Sequence, residues 1–512
     1  MGETSPGPAD AGREGWKFAL VVTAAYVAIA TFATVQHEMW RDELHCWLVA
    51  RDSATPWGVV VARAYDGQPP LWYVLLWFIT RATWHPEAMR VVHLAIATAN
   101  VVLFARFAPF GRAVRGLFAF GYFVAYEYAA LSRCYGLALL FVLLLCIQHP
   151  RRHERPAITG LLLAGLALTT TVGTLAAAGY TAALLVECMA AAFRRDPIYR
   201  RGGLAVGLAA LGGGAAALCA WPPADSTVVH MGKAPQMPWD FATTRIVAGL
   251  VPIPKADFFF WNSNALLSWI PLSGVRFALA VVLFGWVLFV LWNDRFAAIT
   301  FGVGTLLLVG LFSGVYSGSV RHHGFVFVVF LMGAWIAQAA HRRFSEASGR
   351  QVPKRERALE ATLTAVLIAH VPGAVIAIGY DARYVFSSGA RAARVLQTQG
   401  FDEALLVAEV DFPATAMLGH LGPHSMAYSP RTGRPFSFVR WTRDRDWDPT
   451  DVQVLHFAAA LGASRRQDPV LVMNRPLLPE LIDGARVVRL AELYDSMIEE
   501  ENFYLYRVRR DP

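Results

Sequence analysis

The stretch WRDELHCWLVARDSATPWGVVVARAYDGQPPLWY, residues 40–73, follows the first long apolar segment and is far more polar than its surroundings. Two adjacent carboxylates, Asp42 and Glu43, come just beyond the end of an apolar helix predicted over 18–35. Charged side chains are costly inside hydrocarbon, so the pair is expected at the edge of the bilayer. The stretch therefore predicts an acidic site at a membrane surface.

The composition is that of a membrane protein. Of 512 residues, 55% are hydrophobic and 16% are charged, whereas about a quarter of the residues of a soluble protein are charged. The formal net charge of +8 does not indicate nucleic acid, because the arginines cluster in short loops between apolar segments, where they orient membrane helices. The five cysteines have no metal-type spacing, so neither a zinc site nor a disulfide framework is expected.

Apolar segments able to cross a hydrocarbon core of roughly 30 Å recur along most of the chain. Their direction is fixed if the basic loops face the cytoplasm; these loops lie near 106–115, 151–155, 194–201 and 342–357. The consistent solution has about eleven spans, at 18–35, 91–107, 114–131, 135–148, 157–173, 176–192, 203–220, 273–292, 296–315, 323–341 and 358–379.

This topology divides the chain into a cytoplasmic tail (1–17), a transmembrane domain (18–380) and an extracytoplasmic domain (381–512). No small-residue cleavage motif follows the first span, which favours a retained helix over a signal peptide. The apolar run Leu71–Thr80 is too short to cross, so it is predicted to lie along the outer surface. Its alternative is a further span.

Two large loops, 36–90 and 221–272, face outward in this topology. The second is rich in proline and tryptophan, as is typical of a segment at the membrane interface. From about Ala390 helical patterns alternate with apolar strands, and 451–462 is interpreted as a strand followed by a helix. The predicted fold is therefore an α-helical polytopic membrane protein with a small C-terminal α/β domain. No glycine-rich phosphate loop follows a strand, so nucleotide binding is not indicated.

The Asp42-Glu43 pair is the first candidate for chemistry. A solvated rim or a helix cap is the common role of such a dipeptide. Here His45 and two tryptophans surround the pair, and Arg41 beside it can hold or tune a carboxylate. A carboxylate at this place can act as a general base on a hydroxyl, or can hold a divalent cation.

The second candidate is the segment YDGQPPLWY, which contains Asp66, Gln68 and Tyr73. A proline pair that opens an aromatic helix is also a simple helix start, because proline suits the first helical turn. Both interpretations stay open for this segment.

The third candidate runs from Glu127 through Arg133 to Tyr135, at the outer end of a predicted span. An arginine at a helix end often only extends its head group to the interface. An intramembrane carboxylate such as Glu127 needs a partner, and Arg133 is a candidate. The guanidinium can instead bind a phosphate with two hydrogen bonds.

The fourth candidate is Arg321-His322-His323, at the outer start of a later span. Three cationic or titratable groups on the outer side oppose the usual charge distribution of membrane proteins, which indicates an anionic partner. A metal site is less favoured, because adjacent histidines do not share a helix face. All four candidates lie on the outer side of the predicted topology, and together they favour transfer chemistry on a lipid phosphate.

The first outer loop with its DE pair, the PPLWY helix start, the SRCYGLAL segment and the outer C-terminal domain resemble the GT-C superfamily. Members of this superfamily are glycosyltransferases that use polyprenyl-phosphate sugars. The closest type is the bacterial branch related to the protein O-mannosyltransferases and to the aminoarabinose and galacturonic acid transferases of lipid A. The resemblance covers residues 18 to about 150 well, the later spans in outline, and the C-terminal domain hardly at all.

The resemblance implies that Asp42 is the catalytic base and that Glu43 supports it or shares the role. It places Gln68 and Arg133 beside the lipid phosphate. Relatives often carry Lys or His at the position of Gln68, and an amide cannot neutralise a phosphate, so the segment Arg321-His322-His323 is expected to do so here. The remaining residues expected around the substrate are Arg41, His45, Asp66, Tyr73, Glu127 and Tyr135. The family inverts the anomeric centre and uses no nucleotide sugar.

The leading hypothesis is therefore a transferase in a bacterial cytoplasmic membrane that moves a sugar from a polyprenyl-phosphate carrier to a glycan, lipid or protein acceptor. No dedicated metal site is expected, although a Mg²⁺ or Mn²⁺ ion held by carboxylates stays an alternative. A polyprenyl-linked lipid or sugar flippase is the main competing class; it predicts polar groups at mid-depth and two similar halves, and the sequence shows no repeat. A non-catalytic assembly subunit is the third hypothesis.

Overall fold

The structure is a computed structural model that describes residues 8–227, 238–348, 354–445, 447–482 and 486–510. Residues 8–17 of the predicted tail belong to the first helix, whereas residues 1–7 lie outside the described residues. The same holds for 228–237 of the predicted outer loop 221–272. The described residues form two units.

The first unit, called the helical unit, comprises the described residues of 1–34, 93–220 and 229–380. The second, called the mixed unit, comprises those of 35–92, 221–228 and 381–512, and it contains the sheet. Both units are discontinuous in sequence. The first outer loop and the C-terminal region are therefore parts of one structural unit.

The α-helices of the described residues are, in chain order, α1 (Pro8–Gln36), α2 (Arg41–Asp52), α3 (Pro56–Ala62), α4 (Leu71–Thr80), α5 (Glu87–Phe107), α6 (Arg112–Ala119), α7 (Cys134–Gln148), α8 (Pro156–Thr169), α9 (Thr171–Phe193), α10 (Ile198–Ala220), α11 (Trp239–Thr243), α12 (Arg245–Leu250), α13 (Ala265–Trp269), α14 (Ser273–Leu291), α15 (Arg295–Gly314), α16 (Val320–Ser348), α17 (Lys354–Arg383), α18 (Gly389–Thr398), α19 (Asp411–Leu421) and α20 (Asp451–Arg465). The strands are β1 (Leu405–Ala408), β2 (Ala427–Ser429), β3 (Arg434–Phe436), β4 (Pro469–Met473), β5 (Val487–Leu493) and β6 (Phe503–Val508).

Nine helices of the described residues are long and apolar enough to cross a membrane, namely α1, α5, α7, α9, α10 and α14 to α17. They coincide with nine of the predicted spans, in length and apolar composition as a multi-pass membrane protein requires. The helix α4 has 10 residues, a length of about 15 Å at 1.5 Å per residue. It is thus too short to span by itself.

Two predicted spans have a different structure. The segment 114–131 is broken, because α6 ends at Ala119 and a π-helical turn follows at Phe123–Glu127. Hydropathy detects the apolar content of this segment but not the break. Helix α8, in the predicted span 157–173, stops at Thr169, and Thr170 is extended (φ −161°, ψ 154°). A run of β-branched threonines forms helix poorly, which explains the stop.

The C-terminal region forms a six-stranded mixed sheet in the order β3-β2-β1-β4-β6-β5. Strand β1 is parallel to β2 and to β4, and β6 is antiparallel to β4 and β5. The core beside the sheet contains Val407, Leu471 and Tyr506, against which Val454 and Ala458 of α20 pack. The predicted small C-terminal sheet domain is therefore present.

The interpretation of 451–462 as a strand and a helix is wrong, because α20 covers the whole segment. Alternating valines at 452 and 454 suggested a strand. A capping box decides the structure instead: the Thr450 N–H donates to Oε1 of Gln453 at 2.8 Å, and the Gln453 N–H donates to the Thr450 hydroxyl at 3.4 Å. Strands β2 and β3 are only three residues long, which is too short for a recognisable alternating pattern.

Close helix packing in the helical unit requires glycine at specific positions. Helices α8 and α10 pack together, and a Cβ atom added at Gly212 of α10 would lie 2.5 Å from the Cα of Ala164 in α8. The next residue, Gly213, has no atom within 4 Å of its would-be Cβ. Small residues at one face allow this close approach of two backbones.

We predict that Gly212→Ala destabilises the protein, whereas Gly213→Ala does not. Both substitutions gain the same intrinsic helix preference, about 0.8–1 kcal/mol in a soluble helix. Only the first introduces a steric clash, with an overpacking cost of about 1–3 kcal/mol. Thermal unfolding of both variants in lipid nanodiscs measures the difference. Equal unfolding temperatures for the two variants would contradict the close packing of α8 and α10.

Candidate functional site

The start of α2 is stabilised by its own acidic residues. The preceding residue, Trp40, is extended and offers no capping hydroxyl or carboxylate. Glu43 replaces such a cap, because its Oε2 accepts the backbone N–H of Trp40 at 3.3 Å. Acidic residues in the first turn also interact favourably with the positive end of the helix dipole. The sequence Trp40-Arg41-Asp42-Glu43 therefore favours a helix start at this point.

A buried histidine joins Glu43 to a distant part of the mixed unit. The Nε2 atom of His37 lies 2.9 Å from Oε2 of Glu43, and its Nδ1 atom lies 2.8 Å from Oδ2 of Asp381. All three side chains are buried. Burial by itself would lower the pKa of His37, but the charges of Asp381 and Glu43 and the two hydrogen bonds outweigh it and raise the pKa to about 10. His37 is therefore a buried imidazolium between two carboxylates.

These contacts distinguish the two adjacent carboxylates. Glu43 is fully buried and accepts hydrogen bonds from His37 and Trp40. Asp42 is partly exposed at the first turn of the same helix. Of the predicted catalytic pair, Asp42 is thus the one that a substrate can approach, and Glu43 holds the surrounding structure.

The predicted substrate residues His45, Asp66 and Tyr73 lie together. The Nε2 of His45 is 2.9 Å and 3.0 Å from the two oxygens of Asp66, and the Tyr73 hydroxyl donates to Oδ2 of Asp66 at 3.0 Å. Asp42 and His45 are three residues apart on α2 and so share one helix face. The mixed unit therefore presents a partly exposed carboxylate next to a histidine that a second carboxylate orients.

Arg41 and Gln68 have structural contacts in the mixed unit. The Arg41 guanidinium donates to Glu500 at 2.9 Å and lies 5.0 Å from the ring centroid of Phe412. Gln68 follows Gly67, whose left-handed backbone (φ 63°) ends a short turn, and its carbonyl accepts a hydrogen bond from buried Arg63. The backbone of Gln68 thus anchors the loop before α4.

In the helical unit, the first turns of α7 and α16 lie side by side. Arg133 is the residue before α7, and Tyr135 in its first turn is 2.8 Å from Nε2 of His322 in the first turn of α16. The backbone N–H of Ser319 donates to Nδ1 of His322 at 3.0 Å. Nε2 therefore carries the hydrogen of the neutral ring and donates to the Tyr135 oxygen. This leaves the Tyr135 hydroxyl hydrogen for another acceptor.

The other members of this cluster are buried beside it. The Tyr128 hydroxyl donates to the carbonyl of Arg321 at 2.8 Å, and the Tyr122 hydroxyl donates to Oε1 of Glu127 at 2.7 Å. The side chains of Arg321 and Glu127 are 7% and 1% exposed. Glu127 is therefore held by the π-helical turn that breaks the predicted span 114–131.

His323 has a different role from His322. Its Nε2 donates to the carbonyl of Ser317 at 3.0 Å, and its ring contacts Phe312 edge to face at a centroid distance of 5.0 Å. This contact fixes the loop between α15 and α16. Within the predicted group Arg321-His322-His323, His322 therefore contacts Tyr135, whereas His323 binds the loop between α15 and α16.

The electrostatic field of the cluster is positive. The charges of Arg133 and Arg321 both act on the His322 ring. The N-termini of α7 and α16 add the positive ends of two helix dipoles, with backbone N–H groups that anions bind readily. Glu127 contributes one negative charge. The arrangement can hold an anion that carries more than one oxygen acceptor.

Sequence reasoning missed several residues of these clusters. His37 and Asp381 left a weak signal, as polar residues at the ends of apolar segments. Glu501, which contacts the start of α2, left none. Arg245 of α12 is partly buried, its charge acts on His323, and burial lowers its pKa to about 10. It lies in a segment predicted only as an interfacial loop.

Within the residues that the structure describes, no group of three His, Cys, Asp or Glu side chains is arranged to hold a metal ion. Both ring nitrogens of His37 are used by carboxylates, and His45 is used by Asp66. A search of known protein families finds no match to this chain, and a search of curated proteins finds no similar sequence.

We predict that His37→Gln destabilises the protein by about 3–5 kcal/mol, because it leaves two buried carboxylates without their cation. The raised pKa of His37 also defines a pH window. Its stabilising effect is fully present below the unfolded-state pKa of about 6.5 and is lost as the pH rises toward its folded pKa of about 10.

Thermal unfolding in nanodiscs between pH 6 and 10 tests this prediction. The unfolding temperature of the wild type should fall over that range by more than that of His37→Gln. His424, an exposed histidine of the same unit, provides the control variant His424→Gln, which should follow the wild type. Parallel curves for the wild type and His37→Gln would contradict the charged state of His37.

Proposed function

We propose that this protein is a membrane glycosyltransferase of the GT-C type, which transfers a sugar from a polyprenyl phosphate to an acceptor hydroxyl on the outer face of a bacterial cytoplasmic membrane. The strongest support is the positive cluster of the helical unit. Two arginines, Arg133 and Arg321, stand at the adjacent N-termini of α7 and α16. Two helix N-termini and two guanidinium groups together suit a phosphate monoester.

Each residue of the cluster has a role in this proposal. Arg133 and Arg321 neutralise the phosphate that leaves with the polyprenyl chain. The Tyr135 hydroxyl, oriented by His322, donates its hydrogen to a phosphate oxygen. His323 and Glu127 position the first turn of α16 and the π-helical turn. The apolar spans provide the environment for the polyprenyl chain.

Asp42 is the proposed general base. Its carboxylate takes the proton of the acceptor hydroxyl while the acceptor oxygen forms a bond to the anomeric carbon. The bond between that carbon and the phosphate oxygen breaks, and its electron pair leaves with the polyprenyl phosphate. A single displacement of this kind inverts the anomeric centre. Glu43, held by His37, keeps the first turn of α2 in place, and His45, Asp66 and Tyr73 lie on the acceptor side.

We predict that Asp42→Asn lowers transfer on the order of 10²–10⁴-fold, the usual contribution of general base catalysis. The assay uses purified protein in nanodiscs with a panel of polyprenyl-phosphate sugars and candidate acceptors, and it measures release of free polyprenyl phosphate. Asp52→Asn is the matched control, because Asp52 ends the same helix and pairs with Arg51 at 2.7 Å. It should retain full activity.

Full activity in Asp42→Asn would refute the assignment of the base. A flippase would be the better assignment if no donor released polyprenyl phosphate and the protein moved a polyprenyl-linked sugar across the membrane of reconstituted vesicles. Release that depends on Asp42 for one donor would also identify the sugar.

We further predict that Arg133→Gln weakens binding of polyprenyl phosphate. A hydrogen bond to a charged group contributes about 1.5–3 kcal/mol, which corresponds to a roughly 10- to 150-fold higher dissociation constant. Equilibrium binding in nanodiscs measures this directly, without any acceptor. The control is Arg276→Gln, since Arg276 lies in the first turn of another helix, α14, of the same unit. Equal affinities of the wild type and Arg133→Gln would exclude Arg133 from the phosphate site.

A further inference from the structure

A residue near the C-terminal end of the described chain caps the helix that carries Asp42. Glu501 is fully buried in a short turn just before β6. Its Oε1 accepts the backbone N–H of Arg41 at 3.1 Å. That N–H is one of the free donors at the start of α2, which Trp40 cannot satisfy with its side chain. Glu501 therefore serves as a cap from 460 residues away.

The other oxygen of Glu501 is also held. The Ser387 hydroxyl donates to Oε2, and the Arg41 guanidinium lies 3.6 Å from Oε1. The carboxylate thus has fixed partners on two different segments. These hydrogen bonds fix both the orientation of the Glu501 carboxylate and its distance from the first turn of α2.

Asp42 is the next residue after Arg41, and its charge acts on Glu501. Neighbouring carboxylates oppose each other's ionisation, because like charges repel. Burial raises the pKa of Glu501 to about 7; Arg41 and Ser387 lower this pKa, and Asp42 raises it. By reciprocity, an ionised Glu501 makes the Asp42 carboxylate hold a proton more strongly.

We infer that Glu501 is a positioning residue for the base: it holds the first turn of α2 and, when ionised, strengthens Asp42 as a proton acceptor. This inference rests on the proposed function of Asp42. It also makes the C-terminal sheet domain a working part of the catalytic machinery.

The charged groups around Glu501 come from every element packed against it. Arg41 and Asp42 belong to α2, and Glu500 in the same turn pairs with Arg41 at 2.9 Å. Helix α19 packs on the turn, and its Asp411 is already paired with Arg445. Of these carboxylates, Asp42 is the one whose charge raises the pKa of Glu501.

The test compares the pH dependence of transfer in the wild type, Glu501→Gln and Glu499→Gln. The wild type should show a rise in rate near pH 7, as Glu501 ionises and Asp42 becomes the stronger base. Glu501→Gln should lose this rise, with a rate roughly threefold to tenfold lower at pH 8.5 and unchanged at pH 6. Glu499→Gln is the matched control, because Glu499 is an exposed glutamate of the same short turn, and its removal should leave the profile intact.

A second variant keeps the carboxylate in case Glu501→Gln does not fold. Ser387→Ala removes a hydrogen bond that lowers the pKa of Glu501, so the rise in rate should move to higher pH. The inference is overturned if Glu501→Gln keeps the rise, if it loses activity equally at every pH, or if Ser387→Ala leaves the profile unmoved. A failure of the proposed function is distinguished from a failure of this inference, because only the former gives full transfer activity in Asp42→Asn.

Discussion

The buried imidazolium of His37 is the contact on which the mixed unit depends. It accommodates two carboxylates that could not otherwise both be ionised away from water, Glu43 on one side and Asp381 on the other. Removing one member of such a group leaves a buried charge without compensation, which is among the most destabilising changes known. Because Glu43 also binds the Trp40 N–H, the same contact fixes the start of α2 and with it the direction of Asp42.

The helical unit satisfies the same constraint in a different way. Its ionic groups include the buried Arg321 and Glu127 and the partly buried Arg133. Neighbouring tyrosine hydroxyls donate to the Glu127 carboxylate and to the Arg321 carbonyl. In the mixed unit the charges compensate each other, whereas in the helical unit the positive charges exceed the negative one. A cluster in which the charges compensate each other stabilises the fold around it. An unbalanced cluster between two helix N-termini suits a charged ligand.

Hydropathy and loop charge were sufficient to find the nine long apolar helices of the described residues, because length and apolar content are all that a spanning helix requires. They could not detect the π-helical turn in 114–131 or the stop before Thr170, which depend on local backbone geometry. The pair Asp42-Glu43 was recognisable from its position in the sequence. The sequence did not reveal that Glu43 is buried and Asp42 accessible. The burial of Glu43 depends on His37, which also binds Asp381, 344 residues away.

The contact between Arg41 and Glu501 also bears on biosynthesis. The two residues are separated by 460 positions, so at 5–20 residues per second the ribosome needs roughly 20 to 90 s to supply the second after the first. During that time the segment 36–90 has neither the cap on α2 nor Asp381 beside His37. Helix α2 is therefore synthesised long before the residue that caps its first turn.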